Sequence, residues 1–335
     1  MDLSGALLDD TDTALVRALR ASPRSSWTQL GHALGIHPAT AARRWKRLRD
    51  AGWAWVTAFP ALRDGAASGA FLEVDCAPGG AERVIDAVLP DPRVASVERT
   101  GDVGLLLTVV AADVPALSAL VLEGIDQLPD VRATRLHVMA PPPAATPRRA
   151  GSEQPRPELS PVGAVAAEHR ALLLALAPDA RRPAAELAER VGASASAVRR
   201  RIRTMVEDGI IALRCEVAQP VRSSPVVAHY WAAAPVGELA GYVRAVRSLP
   251  PVIRCAKLNS AANLLITART DSESKLGQLE LALTKQCPEL HLTGRALTSR
   301  TWKLRGWLLD EHGVPRACRP VDPWSPSPAL SGDPP

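Results

Sequence analysis

Leu30-Gly31-His32-Ala33-Leu34-Gly35-Ile36-His37-Pro38, continuing as Ala39-Thr40-Ala41-Ala42-Arg43-Arg44-Trp45-Lys46-Arg47-Leu48, carries two helical patterns separated by a turn. Residues 26–34 place Leu30, Ala33 and Leu34 on one face of a helix. Gly35 ends it, as a residue that tolerates positive φ does. His37-Pro38 opens the next helix, where proline's missing N–H costs nothing. Upstream, residues 10–21 space Leu15 and Leu19 at i, i+4 as a first helix. Three helices with so short a connection between the last two predict a helix-turn-helix.

The same pattern returns. Leu187-Ala188-Glu189-Arg190-Val191-Gly192 overlies Leu30 to Gly35, and Glu207-Asp208-Gly209-Ile210 overlies Asp50-Ala51-Gly52-Trp53. Leu172 and Leu176 repeat Leu15 and Leu19, all at one constant separation of 157 residues. A register held without a gap marks an internal duplication.

In each copy the third helix is the informative element. At 100° per residue, Ala41, Trp45 and Leu48 form a core stripe, with Ala39, Arg43 and Lys46 opposite and Thr40 and Arg47 on the shoulder. In the second copy Val198, Ile202 and Met205 face inward, while Ser196, Arg200 and Arg203 face outward. A packed rod with a cationic outer face suits a DNA major groove, where Arg and Lys bond guanine edges or neutralise phosphates. The expected DNA-binding residues are therefore His37, Thr40, Arg43, Arg44, Lys46 and Arg47 in the first copy. Ser194, Ser196, Arg199, Arg200 and Arg203 are their counterparts in the second. His37, Thr40, Ser194 and Ser196 sit at helix starts, the half that reaches bases.

A connecting strand follows each third helix, at 53–59 and 210–218. Next comes a β-α-β-β-α-β order. In the first copy it comprises strands at 70–76, 94–99, 105–110 and 131–138, with helices marked by Val84, Ile85 and Val88 and by Leu117, Leu120 and Leu128. In the second, the strands are 226–232, 252–257, 264–268 and 290–297, with helices marked by Leu239, Tyr242 and Val246 and by Leu276, Leu279 and Leu283. The fold class expected is α+β: two winged-type helix-turn-helix domains (1–60 and 161–219) alternating with two ferredoxin-like βαββαβ domains (61–140 and 220–308). Proline-rich residues 141–160 read as a linker, and 309–335 as a disordered tail.

Composition sets the outer bounds. A net charge of +5 and a pI near 9.2 suit a polyanionic partner, though charge placement matters more than its sum. The five cysteines are far apart and include no C-x-x-C, which argues against a disulfide framework or a zinc site. No signal peptide is expected in residues 1–12, and the apolar run at 105–112 is too short to cross a bilayer.

The opening Leu8-Asp9-Asp10-Thr11-Asp12 with Leu15 and Leu19, the run Arg44-Trp45-Lys46-Arg47-Leu48, and Gly52 resemble the Lrp/AsnC helix-turn-helix. Arg201-Ile202-Arg203-Thr204-Met205 and Gly209-Ile210 keep the resemblance in the second copy, which departs at Ala166 and His169, in place of two acids. The first copy departs at Trp53. Those acids are taken as surface and capping residues whose loss the first helix survives. The resemblance spans about residues 5–140 and 160–308. It implies double-stranded DNA as partner, a cytoplasmic place on the nucleoid, pairing through the α/β domains within one chain or between chains, and an amino-acid effector. Gly101 and Asp102 keep half of the family's effector turn; Ser260-Ala261-Ala262-Asn263 keeps essentially none of it. Two non-identical heads imply an asymmetric operator.

No P-loop, G-x-S-x-G or H-E-x-x-H is present, and the histidines are scattered, His229 and His291 in strands. The expectation is a transcription regulator that is not an enzyme and needs no cofactor or metal. Two alternatives share the fold. Sirohaem decarboxylases resemble the same two-unit architecture, with the active site in the α/β domains, but need no cationic third helices. A non-specific nucleoid protein would keep those helices without sequence preference.

Overall fold

The computed structural model describes residues 8–62, 67–101, 104–140, 167–218 and 226–326. The linker expected at 141–160 lies outside them. The chain divides into two units, one of residues 1–61, 165–223 and 302–322, the other of residues 62–164, 224–301 and 323–335.

In the first unit, α1 (Asp10–Ala21), α2 (Trp27–Leu34) and α3 (Pro38–Asp50) form the first trihelical domain. Each start is capped. Asp9 accepts from Asp12 N–H, Ser26 and Gln29 form a capping box, and His37 Nδ1 accepts from Ala39 N–H. Leu15, Leu19, Leu30, Trp45 and Leu48 close the core. Ala33, expected on the buried face of α2, is exposed; Gly31 is buried in its stead. A Cβ at Gly31 would lie 2.7 Å from the Ile36 carbonyl oxygen and 3.1 Å from Pro38 N, so the turn folds back against bare backbone. Gly31→Ala is expected to cost about 1–3 kcal/mol through overpacking, measured as a lowered urea midpoint.

The second copy builds α6 (Ala167–Leu176), α7 (Ala184–Val191) and α8 (Ala195–Glu207). Gly35 and Gly192 both end their helices at φ 65, the left-handed cap. The connecting strands β1 (Ala54–Pro60) and β6 (Ile211–Val217) pair antiparallel, with Thr57 opposite Arg214, its own repeat mate. A pseudo-two-fold axis passes between them. Arginine contacts obey it: Arg24 donates to the carbonyls of Ala180 and Arg182, and Arg181 to those of Pro23 and Ser25. The two helix-turn-helix domains thus form an isologous pair inside one chain.

The stretch expected to be a disordered tail is ordered through residue 326. Strands β11 (Trp307–Leu309) and β12 (Pro315–Cys318) pair, Trp307 packs near Trp55 at 6.0 Å, and buried Asp322 takes a bidentate bond from Arg170. Composition alone could not foresee this, because the burying partners lie more than a hundred residues upstream.

The second unit joins both ferredoxin-like copies. The first contributes β2 (Ser68–Cys76), α4 (Ala81–Val88), β3 (Val94–Thr100), β4 (Gly104–Ala111), α5 (Val114–Ala119, continuing into a wider π turn) and β5 (Val131–Val138). The second contributes β7 (Val226–Ala233), α9 (Leu239–Ser248), β8 (Val252–Lys257), β9 (Leu264–Thr270), α10 (Ser274–Gln286) and β10 (His291–Leu304). Strand order is β5-β2-β4-β3-β10-β7-β9-β8, so the second strand of one copy lies beside the fourth of the other. The edge strands also meet, through a bridge at Met139 and Leu258 and the bond from Ala140 N–H to Lys257 O. Alternation divides each strand. Ala228, Tyr230 and Ala232 pack with Val243, Val246 and Leu283 of the helices, whereas Trp231 and Leu265 meet Phe71 and Leu106 of the other copy.

Candidate functional site

Two places merit consideration. The first is the pair of third helices. Pro38 at the start and the His37 cap begin α3; Ser194 caps α8 by accepting from Ala197 N–H at 3.2 Å. Ser194 and Ser196 lie 3.0 Å apart, both exposed, and Thr40 is half-buried. On α3, Arg44 bonds Asp9 at 2.5 Å and Asp12 at 2.9 Å, Arg47 bonds Asp12, and Lys46 bonds Asp50. Arg43 is exposed and makes no ion pair among the described residues. On α8, Arg199, Arg200 and Arg203 are exposed and likewise without an ion pair among the described residues, while Arg201 bonds Glu168.

Asp12 corrects the view that the opening acids serve only surface and cap. Asp9 is the cap, but Asp12 is only 2% exposed and ties α1 to α3. Its partners lie more than thirty residues away in sequence, beyond the reach of helix periodicity. The hydrogen bonds of Arg44 hold the Asp9 carboxyl below its ordinary value.

The second place is a cavity of about 540 Å³ in the α/β unit. Glu73 comes from β2, Arg135 and His137 from β5, Trp231 from β7, Arg295 from β10, and Ser260 from the link between β8 and β9. His137 Nε2 lies 2.6 Å from Glu73 Oε1, Arg135 donates to Glu73 Oε2 at 3.1 Å, and His137 Nδ1 lies 3.1 Å from Ser260 Oγ. The Ser260 hydroxyl donates to the Ala262 carbonyl at 2.7 Å, so it accepts from Nδ1–H. A Glu73 carboxylate held by Arg135 likewise only accepts. Arg135 and Arg295 line the cavity, and each is bonded to a carboxylate, Arg135 to Glu73 and Arg295 to Glu280 at 2.9 Å.

A second acid–imidazole pair lies in the same unit. Glu98 is 3.6 Å from fully buried His229, which also meets Thr298 at 2.9 Å and Thr267 at 3.2 Å. Burial raises the Glu98 carboxyl, but His229 on β7, Arg254 on β8 and Arg269 on β9 outweigh it and bring it down to about 2 from 4.5. A carboxyl lowered on folding contributes stability above its unfolded value and loses it as pH falls through the folded one. Stability is therefore expected to fall as pH drops below the ordinary carboxylate range toward 2, where Glu98 takes up its proton. The check is a urea titration across that range, in which Glu98→Gln flattens the acid limb.

Gly101 is exposed, donates to Leu297 O and does not line the cavity; Asp102 lies outside the described residues. Glu73, Arg135, His137, Trp231, Ser260 and Arg295 were not singled out from sequence. The legible signal was Glu73 within the buried run Phe71-Leu72-Glu73-Val74, a charge where burial asks for apolar residues.

Residues 8–49 match the AsnC-type helix-turn-helix domain, residues 169–212 the winged helix-turn-helix DNA-binding domain, and residues 69–144 the Lrp/AsnC ligand-binding domain. No significant match is found among curated proteins. Among solved structures, the siroheme decarboxylase NirDL in complex with an iron-uroporphyrin III analogue is similar at TM-score 0.58 and 13% identity, covering 88% of this chain and 93% of that one. NirDL alone gives 0.57 and 14% over the same shares. A Neisseria meningitidis transcriptional regulator in complex with L-Met is 24% identical over 43% of this chain and 96% of that one, at TM-score 0.35. The expectation that the chain is not an enzyme is overturned by the NirDL likeness. NirDL, an enzyme by its name, shares this tandem fold, so the fold does not exclude catalysis. Among the described residues, no helix is long and apolar enough to cross a membrane.

Proposed function

For a chain that belongs to the Lrp/AsnC family, as a tandem duplicate of its helix-turn-helix and ferredoxin-like domains, we propose a decarboxylase that acts on a carboxylate-bearing tetrapyrrole in the α/β cavity. The observation that carries it is the convergence of Arg135, His137 and Arg295 with Glu73 and Trp231 around one cavity of about 540 Å³. The arginines orient side-chain carboxylates, which share them with Glu73 and Glu280. When the bond from carbon to a carboxylate breaks, carbon dioxide leaves, the electron pair stays on carbon, and a proton replaces the lost group. No oxidant or reductant is required. Water supplies the replacing proton, and His137, with both ring nitrogens held by Glu73 and Ser260, keeps Glu73 and the Arg135 bonded to it in place.

The test is to incubate the full chain with iron-uroporphyrin III and with its natural sirohaem counterpart. The expected result is a shifted tetrapyrrole absorption band and the loss of carbon dioxide by mass. Binding without mass loss would reject the enzyme.

A second reading keeps the cavity as an effector site of a DNA-binding regulator. The helix-turn-helix matches favour it, as do the three exposed arginines of α8, which make no ion pair among the described residues. The readings part on whether the bound ligand is consumed.

A further inference from the structure

On the tetrapyrrole reading of the α/β cavity, on which the following rests, the two copies face that cavity unequally. Strand register gives their correspondence. On β2, Glu73 stands between Arg135 of β5 and Leu106 of β4; on β7, Trp231 stands between Gly294 of β10 and Leu265 of β9. Leu106 and Leu265 join one apolar cluster, so the two rows are repeat mates. Two residues along each strand, His137 beside Phe71 matches Ala296 beside His229. Glu73, Arg135 and His137 of the first copy line the cavity, and so do their mates Trp231, Gly294 and Ala296. One wall is therefore charged where the other is aromatic or bare. The second wall's charged lining residue, Arg295, is bonded to Glu280 of α10.

Gly294 is the informative position. Its backbone lies outside the left-handed region that favours glycine. A Cβ there would meet Trp231 at 3.7 and 3.8 Å, ordinary van der Waals distances. Neither conformation nor crowding requires the glycine, although a strand interior disfavours one. The pairing of β10 with β7 shifts register between Leu292 and Gly294, and both Thr293 and Gly294 line the cavity at that irregularity. What glycine supplies is room: the volume that the Arg135 side chain takes in the first copy stays open beside Trp231 in the second. A glycine so placed in a strand marks the close approach of a ligand.

We propose that Gly294 and Trp231 form the seat for the ring of the tetrapyrrole and set the size of ligand that the cavity accepts, with the ligand's carboxylates turned to the other wall at Arg135. One ligand then binds per chain in a single orientation, because only one of the two repeat-related walls is charged and only the other is open.

The test is an absorption titration of the full chain with iron-uroporphyrin III. Gly294→Ala is expected to bind as the wild type does, since the site accepts a Cβ. Gly294→Leu is expected to weaken binding about tenfold or more. Gly294→Arg is expected to do the same, although it adds a cation. Were charge alone to collect the carboxylates, this variant would bind more tightly, so the sign of its effect separates room from charge. Urea midpoints check that each variant is folded. Gly294→Val, a good strand former, carries the test with the same expected weakening if the larger side chains lower the midpoint. Unweakened binding in these variants, or more than one ligand per wild-type chain, would overturn the proposal and leave tetrapyrrole binding standing. A wild-type chain that shifts no absorption band would overturn both.

Discussion

In the decarboxylase proposed above, replacing His137 by alanine is expected to slow carbon dioxide release from the bound tetrapyrrole by about 10²-fold, the usual cost of misplacing groups that position a substrate. The expectation follows from position and bonding together. His137 is the imidazole among the cavity-lining residues, and its two nitrogens are held by groups that only accept toward it. Affinity should change little, because Arg135 and Arg295 remain to bind carboxylates. Glu73→Gln should give a smaller loss, since the amide still accepts from Nε2–H but no longer balances the charge of Arg135. Single-turnover rates alongside a spectroscopic titration separate the two effects. An unchanged rate in the histidine variant would remove the Glu73–His137–Ser260 row from the reaction.

Trp231→Ala should cost about 3–5 kcal/mol of stability, within the range for a large buried aromatic removed from a core. Trp231 is 7% exposed, and its ring meets Phe71 and Leu106 of the first copy as well as Leu265 of its own. The loss therefore falls on the joining of the two copies rather than on either copy's helix-facing core. Urea unfolding at unchanged m-value measures it. A cost under about 1 kcal/mol would mean that the inner sheet faces contribute little to holding the copies together.

The helix-turn-helix domains were the most legible part of the chain. A stripe such as Ala41, Trp45 and Leu48 depends on helix geometry alone, and the glycines that end α2 and α7 act on their immediate neighbours. The cavity was hidden for the opposite reason. Glu73 and His137 are 64 residues apart and Ser260 a further 123 from His137, so no local spacing relates them. Asp12 shows the same limit on a smaller scale: its place in the sequence reads as a helix start, and only the packing of α1 on α3 makes it a clamp.

Local periodicity and the 157-residue register determined, without coordinates, that the chain is a doubled helix-turn-helix and ferredoxin-like protein, because both signals depend on neighbours along the chain. Tertiary structure alone decided which charges stay available and which are spent. The cations of α3 and α8 look alike in sequence, but a charge is neutralised by whatever lies within a few ångströms of it in space. The ordering of residues 309–326 and the assembly of the α/β cavity from both copies were settled in the same way, by burial against partners that the linear order keeps far apart.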